Sequence, residues 1–102
     1  MKYSKRFVYA AAFLAVGLPS AAFAWSGENL APTAKVTMEQ ATAIALKARP
    51  GTVTDRELER EGGGSGLRYS FDIKSSGVVY EIGVDAKTGK VLENSKEGSH
   101  PD

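Results

Sequence analysis

The residues best suited to acid–base chemistry form a run of alternating charge, in which Glu57, Glu59 and Glu61 alternate with Arg56 and Arg60. Two carboxylates held close together can act as a general acid and a general base when their environments separate their pKa values. Here we expect the flanking arginines to keep the carboxylates ionised on an open edge strand. We therefore interpret the run as a solvated, charged strand rather than a catalytic pair.

A second candidate is a cation-binding turn formed by Asp85, Thr88 and Gly89. Calcium loops need several more oxygen ligands at alternating positions, and the side chains of Ala86 and Lys87 supply none. Aspartate commonly accepts hydrogen bonds from the backbone amides of its own turn, and glycine supplies the positive φ of a hairpin. We therefore expect Asp85 to have a structural role in a turn.

The remaining chemical candidates are weaker still. The glycine-rich segment 62–66 lacks the Gly-Lys-Ser/Thr ending and the following helix of a phosphate-binding loop, so we expect a flexible hairpin connection. His100 is the single histidine and lies in a polar terminal tail, which does not make a metal site. The chain has no cysteine, which excludes thiol catalysis and disulfides. The sequence thus predicts no enzyme, and no catalytic, cofactor-binding or metal-binding residues.

The first 24 residues have the composition of a secretory signal peptide. Three of the 13 basic residues come first, namely Lys2, Lys5 and Arg6. They are followed by an apolar stretch over 7–18, which would rise only about 18 Å as a helix, short of the roughly 30 Å core of a bilayer. We therefore expect an exported protein, periplasmic or extracellular, with no membrane span after processing.

Small residues then mark a cleavage site, with Ala22 and Ala24 at the positions that a signal peptidase reads and Trp25 after the cut. Without residues 1–24 the chain would keep 10 basic residues against all 12 acidic ones, and its formal charge would change from +1 to −2. Nucleic-acid-binding domains carry a clustered basic excess, so this balance excludes a nucleic-acid partner.

The processed chain is predicted to contain one helix. After a flexible lead-in over 25–34, residues 37–40 (TMEQ) match a capping box, which marks the first turn of a helix. The helix should end near Arg49, because Pro50 disfavours helical geometry in the residue before it. Five residues share one apolar stripe at helical spacing: Met38, Ala41, Ile44, Ala45 and Ala48.

Four strands should follow the helix. A charged edge strand is predicted over 52–60, and apolar residues alternate with polar ones over 67–74 and 78–85. Placing Ile73 opposite Val78 brings apolar side chains together across the second hairpin. A short last strand would begin at Val91, opposite Val84, and end near Glu93.

These elements predict an α+β fold, with one α-helix packed on one face of a four-stranded antiparallel meander sheet (α-β-β-β-β), preceded by the signal peptide. The predicted domain covers 35–93, and a disordered tail covers 94–102. The sheet face away from the helix should carry polar residues, namely Arg68, Ser70, Asp72, Lys74, Glu81 and Asp85.

Residues 35–93 resemble the PepSY domain, a module shared by propeptides of thermolysin-type metallopeptidases and by various exported bacterial proteins. The most specific matches are the strand 67–73 (LRYSFDI) and the turn 85–91 (DAKTGKV). The resemblance implies a non-catalytic module that inhibits or restrains peptidases, or that binds other exported proteins.

Two classes of function remain open. The first is a binding module for another exported protein, for example a trans-acting inhibitor or regulator of a peptidase, which could act by adding a strand to a sheet edge. The second is a structural or sensory module of the cell envelope, which could act as a dimer. It would serve a stress or metal response without inhibiting a peptidase. The candidate partner contacts are charged residues of the edge strand and of the exposed face: Arg56, Arg60, Arg68, Lys74 and Glu81.

Overall fold

Local sequence signals account for the order of the elements in the computed structural model, which describes residues 25–98. A 3-10 helix (Glu28–Thr33) precedes an α-helix, α1 (Met38–Ala48), and four strands, which are β1 (Thr52–Arg60), β2 (Leu67–Ser75), β3 (Val78–Asp85) and β4 (Val91–Lys96). The predicted signal peptide with Ala22 and Ala24, and the tail containing His100, lie outside the described residues.

The strands form one antiparallel sheet in the order β1-β2-β3-β4, so the predicted α+β meander is confirmed. The capping box that starts α1 is also confirmed. Thr37 Oγ1 accepts a hydrogen bond from the Gln40 amide at 3.1 Å, and Gln40 Oε1 accepts one from the Thr37 amide at 2.9 Å. Together these bonds satisfy two amides that a helix start would otherwise leave unpaired.

The core lies between α1 and one face of the sheet. Ala41 and Ala45 are fully buried, and their short side chains allow the helix to approach the sheet closely. Beneath them lie the apolar residues of the strands, chiefly Leu58, Tyr69, Phe71, Ile73, Ile82 and Val84. The buried Tyr69 hydroxyl donates a hydrogen bond of 2.6 Å to the Val36 carbonyl, so its polar end is satisfied.

A bulge in β1 explains how both apolar anchors of this edge strand reach the core. Val53 and Leu58 are five positions apart, so a regular strand would place them on opposite faces. The register shifts between Val53 and Asp55. Val53 then pairs with Ile73 and Leu58 with Tyr69, and both anchors lie on the helix side.

The predicted register of the second hairpin is wrong by two residues. Ile73 pairs with Tyr80 rather than with Val78, and Val78 pairs with Ser75. The reason is a two-residue turn, in which Ser76 and Gly77 have φ values of 52° and 81°. Such turns match the twist of paired strands better than a longer connection does. Because the shift is an even number of residues, each side chain still lies on the predicted face.

The structure also differs from the prediction at both ends of the domain. The segment 25–34, expected to be a flexible lead-in, contains the 3-10 helix and forms a parallel bridge between Ser26 and Glu57. Its partly buried Leu30 packs against the core, and so does Trp25, whose ring meets Tyr69 edge to face at 6.2 Å. At the other end, β4 pairs Val91 with Val84 as predicted but continues to Lys96 instead of ending near Glu93.

Candidate functional site

The sheet face away from α1, here called the open face, carries most of the charge of the strands. Side chains alternate between the faces of a strand, so acidic residues from all four strands meet there. Pairing across the strands and side-chain contacts place on it Asp55, Glu57, Glu59, Arg68, Asp72, Lys74, Glu81 and Glu93, with Glu97 just beyond β4. Carboxylates therefore outnumber cations on this face.

The centre of the open face holds a row of like charges. Asp72 on β2 lies directly opposite Asp55 on β1 and Glu81 on β3. Like charges directly opposite in a sheet are destabilising. The pKa of Asp72 is raised by partial burial and then by the charges of Glu97 and Asp55. The pKa of Glu57 is raised in the same way, by burial and then by neighbouring carboxylates.

The structure corrects the expectation that Arg56 and Arg60 keep the neighbouring carboxylates ionised. Both arginines lie on the α1 side of β1, paired with buried residues of β2, whereas the glutamates between them lie on the open face. The pKa of Glu61 is raised by a hydrogen bond with Glu59 and by burial, and the opposing effect of Arg68 is smaller. Alternation along the strand thus separates the charges that are neighbours in the sequence.

The acidic side chains line a shallow depression of about 180 Å³ in the open face. Arg68 contacts one of the lining residues, Glu93, and is only 8% exposed. Its guanidinium lies within 3.4 Å of Glu93 and donates a hydrogen bond of 3.2 Å to the Gly62 carbonyl. It reaches Glu93 across Gly83, where a Cβ would come within 2.9 Å of the guanidinium. A buried, hydrogen-bonded arginine of this kind is not available as a partner contact.

Three of the acidic residues could attract a divalent cation. Asp72, Glu81 and Glu97 each place a carboxylate oxygen within 4.8 Å of the others. Carboxylate oxygens are the ligands that magnesium and calcium prefer. Exposed acidic groups of this kind are common without an ion, so the arrangement indicates a cation-attracting surface rather than a defined metal centre.

Asp85 forms a second site, at the end of the open face, and is only 2% exposed. Its carboxylate accepts hydrogen bonds from the Lys87 and Thr88 amides at 2.8 and 3.1 Å, as predicted for a turn aspartate. It also accepts bonds from the Ser65 amide and hydroxyl at 2.6 and 2.9 Å, which the sequence did not predict. The loop 62–66, expected to be flexible, is therefore anchored to the hairpin.

These hydrogen bonds determine the charge state of Asp85. Burial alone would raise the pKa of the carboxyl, but bonds from the Ser65, Lys87 and Thr88 amides and from the Ser65 hydroxyl lower the pKa to about 2. Each of these donors favours the ionised form. Asp85 is thus a structural group that is charged at neutral pH, with its oxygens already occupied by donors of its own chain.

The predicted partner contacts do not form one surface. Glu81 and the exposed Lys74 lie on the open face, Arg68 is buried there, and Arg56 and Arg60 lie on the other side of β1. What the prediction missed is that the carboxylates of β1 lie on the same face as Asp72 and Glu81. The signal for them was present in the sequence, because alternation on β1 separates glutamates from arginines.

Replacing Asp72 with asparagine should raise the free energy of unfolding at pH 7 by about 0.5–1 kcal/mol, because it removes the like charge facing Asp55 and Glu81. The raised pKa of Asp72 means that its charge costs stability above that pKa. The gain should therefore disappear as the pH falls and the wild-type carboxyl becomes protonated. Urea unfolding at several pH values would measure it, and a loss of stability at pH 7 would contradict it.

Within residues 25–98, no helix is both long and apolar enough to span a lipid bilayer. In comparisons with known proteins, a sequence model of the family described as peptidase propeptide and YPEB domain, or PepSY, matches residues 35–94. No curated protein and no solved structure matches the chain. The matched range begins just before the capping box of α1 and ends within β4, so it takes in α1 and the sheet up to Asn94.

Proposed function

Because the chain belongs to the PepSY family of peptidase propeptide and YPEB domains, we propose that it is an exported, non-catalytic module that binds another exported protein. A peptidase is the first candidate partner, since the family includes the propeptides of such enzymes. The predicted signal peptide supports export, to the periplasm or to the exterior.

The proposed mode of binding is based on the row formed by Asp55, Asp72 and Glu81. These side chains face each other across three strands, and the charges of Glu97 and Asp55 add to burial in raising the pKa of Asp72. A cationic surface docked on the open face would offset their repulsion and would be steered towards it during encounter. We therefore assign the open face as the docking surface and a Lys- or Arg-rich surface as its counterpart.

The alternative route, addition of a strand to the β1 edge, has less support. The Leu58 amide, which points outward from β1, already donates a hydrogen bond of 2.8 Å to the Ser26 carbonyl. A partner strand would have to displace this contact before pairing along the middle of β1. The open face needs no such rearrangement.

Non-catalytic action agrees with the chemistry of the titratable groups. Asp85 has a pKa lowered to about 2, yet its oxygens accept four hydrogen bonds from Ser65, Lys87 and Thr88. A general base needs a free lone pair directed at a substrate proton. The carboxylates with raised pKa values lie instead on the shallow open face, where water has access.

A single charge reversal tests the docking surface. Glu57→Lys places a cation on the β1 side of the open face, and Glu39→Lys makes the same charge change on the exposed side of α1. We expect the wild-type protein in micromolar excess to inhibit at least one member of a panel of secreted metallopeptidases. Glu57→Lys should weaken this inhibition about fivefold or more, and Glu39→Lys less than twofold.

The outcomes of this experiment separate the hypotheses. Equal effects of Glu57→Lys and Glu39→Lys would contradict the open face as the docking surface. Unchanged activity of every peptidase would contradict inhibition and leave the structural or sensory class of function. Circular dichroism of both variants checks that the fold is intact, and Glu57→Lys should retain it because the replaced carboxylate is already repelled by its neighbours.

A further inference from the structure

We propose that Trp25 is the first residue of the processed protein and that the fold holds its new α-ammonium group against the carboxylate of Glu28. The cleavage signal in the sequence points to the bond between Ala24 and Trp25, and the contact of the Trp25 nitrogen with Glu28 in the structure is an independent observation. The proposal depends on the proposed export, and the experiments below distinguish failure of export from failure of this inference.

The Trp25 nitrogen has an acidic partner in place. It donates a hydrogen bond of 3.0 Å to Glu28 Oε2, three residues along the chain. A backbone amide brings one hydrogen and no charge to this contact. An α-ammonium group at the same position would bring three hydrogens and a positive charge, so an ion pair would be added to the hydrogen bond that the amide already makes. The carboxylate is therefore better suited to the processed chain end than to an internal amide.

The chemistry of processing creates this group in one step. A peptidase of the export machinery hydrolyses the bond between the Ala24 carbonyl carbon and the Trp25 nitrogen. Water supplies the hydroxyl of the new Ala24 carboxyl group and a hydrogen to the Trp25 amine, which takes up a further proton at neutral pH. Alanine at positions 22 and 24 satisfies the preference of these enzymes for small residues.

The neighbouring backbone fixes the position of the chain end. The Ser26 carbonyl accepts the hydrogen bond from the Leu58 amide, and the Trp25 ring lies edge-on against Tyr69. Gly27 then turns the chain with a φ of +87°, a value that residues other than glycine rarely adopt. Three consecutive residues are thus held directly after the predicted cleavage point.

Other charged and titratable groups near Trp25 also favour a cation. Glu39 lines the same cavity as Trp25, and the β1 residue bridged to Ser26 is Glu57. Tyr69, which contacts the ring, has its pKa raised by burial and by Glu39, so its hydroxyl stays neutral at physiological pH. These neighbours of Trp25 are acidic or neutral, while the contact with the Trp25 nitrogen itself is made by Glu28.

The first experiment identifies the chain end. The full 102-residue chain is produced in a host that exports it, and the mass of the recovered protein is measured. We expect a 78-residue product that begins with Trp25. A different N-terminal residue, or an unprocessed chain in the exported fraction, would overturn this inference. A chain that never leaves the cytoplasm would instead contradict the proposed export.

The second experiment tests the contact with Glu28. Wild type, Glu28→Gln and Glu39→Gln are exported, and the acylation rate of each α-amino group is followed near pH 7 by mass spectrometry. We expect the α-amine of Glu28→Gln to react about two- to fivefold faster than that of wild type, the effect of an exposed ion pair. Glu39→Gln should differ little from wild type, and high salt should reduce the effect.

Equal rates in Glu28→Gln and wild type would show that the carboxylate does not hold the chain end. The tryptophan fluorescence of each variant is compared at the same time, since Trp25 is the one tryptophan of the chain. An unchanged spectrum in Glu28→Gln ensures that a faster reaction reports loss of the ion pair rather than release of the whole segment.

Discussion

Replacing Asp85 with asparagine should lower the free energy of unfolding by about 2–4 kcal/mol at pH 7, which is a large fraction of the stability of a small domain. The carboxylate accepts four hydrogen bonds from three residues, and an amide in its place would direct its own N–H groups at some of those donors. The lowered pKa alone corresponds to about 2 kcal/mol of preference for the charged form. Urea unfolding of both proteins measures the difference.

The pH dependence gives this prediction a second readout. The pKa of Asp85 is about 2 in the folded protein against an ordinary value of 3.8. The contribution of ionised Asp85 to the stability of the fold is therefore fully present at pH values above 3.8, and it is lost as the pH falls through about 2. Asp85→Asn should lack this part of the acid transition, so the two proteins should approach equal stability near pH 2.

The control is Asp72→Asn, which removes a carboxylate from the same face of the sheet. It should have the opposite sign, because Asp72 is opposed by acidic residues and Asp85 is surrounded by donors. If both variants lost the same stability, general loss of charge would explain the results, and the specific role of Asp85 would be refuted.

The second large effect is expected from Gly27→Ala. A Cβ at Gly27 would overlap the backbone carbonyl oxygen of Leu58, and the φ of +87° is unfavourable for any other residue. Backbone atoms within β1 cannot move aside as a flexible side chain can. We expect the segment 25–34 to leave β1, with a loss of about 2 kcal/mol or more in unfolding free energy. Trp25 emission should then shift to longer wavelength as the ring loses its contact with Tyr69.

Two other glycines distinguish backbone strain from steric overlap as the cause of this loss of stability. Gly66 has φ of +94° but open space around a new Cβ, so Gly66→Ala measures the backbone strain alone. Gly62 has open space and no left-handed backbone, so Gly62→Ala should be nearly neutral. Gly27→Ala should exceed both, and only Gly27→Ala should change the fluorescence. A Gly27→Ala protein with the stability and spectrum of wild type would contradict the packing described here.

The sequence was sufficient to predict the elements whose signals are local. The capping box at Thr37 and the alternation of apolar residues in β2 and β3 each depend on neighbours in the chain, and the structure contains all of them. Register is different, because apolar alternation repeats every two residues and therefore permits shifts by two. The tight turn at Ser76 and Gly77 decides between those registers, and its conformation is required at a serine that has no strong preference for it.

The acidic surface could have been derived from the alternating charges of β1, since residues two apart on a strand share a face. The prediction missed this surface because it treated residues that are adjacent in the chain, such as Glu57 and Arg56, as neighbours in space. The anchoring of the glycine-rich loop could not have been derived in this way. Ser65 and Asp85 are 20 residues apart, and only the fold brings them together.

The contact between Ser26 and β1 limits how copies of this protein can associate. Within residues 25–98 the sheet ends at β1 and β4, and Ser26 occupies the middle of the β1 side before Gly27 turns the chain into the 3-10 helix. A fibril grows only if every added copy offers a free strand on both sides. Because Ser26 covers the middle of the β1 side, a pair of copies joined through β4 would lack a continuous free edge for further growth.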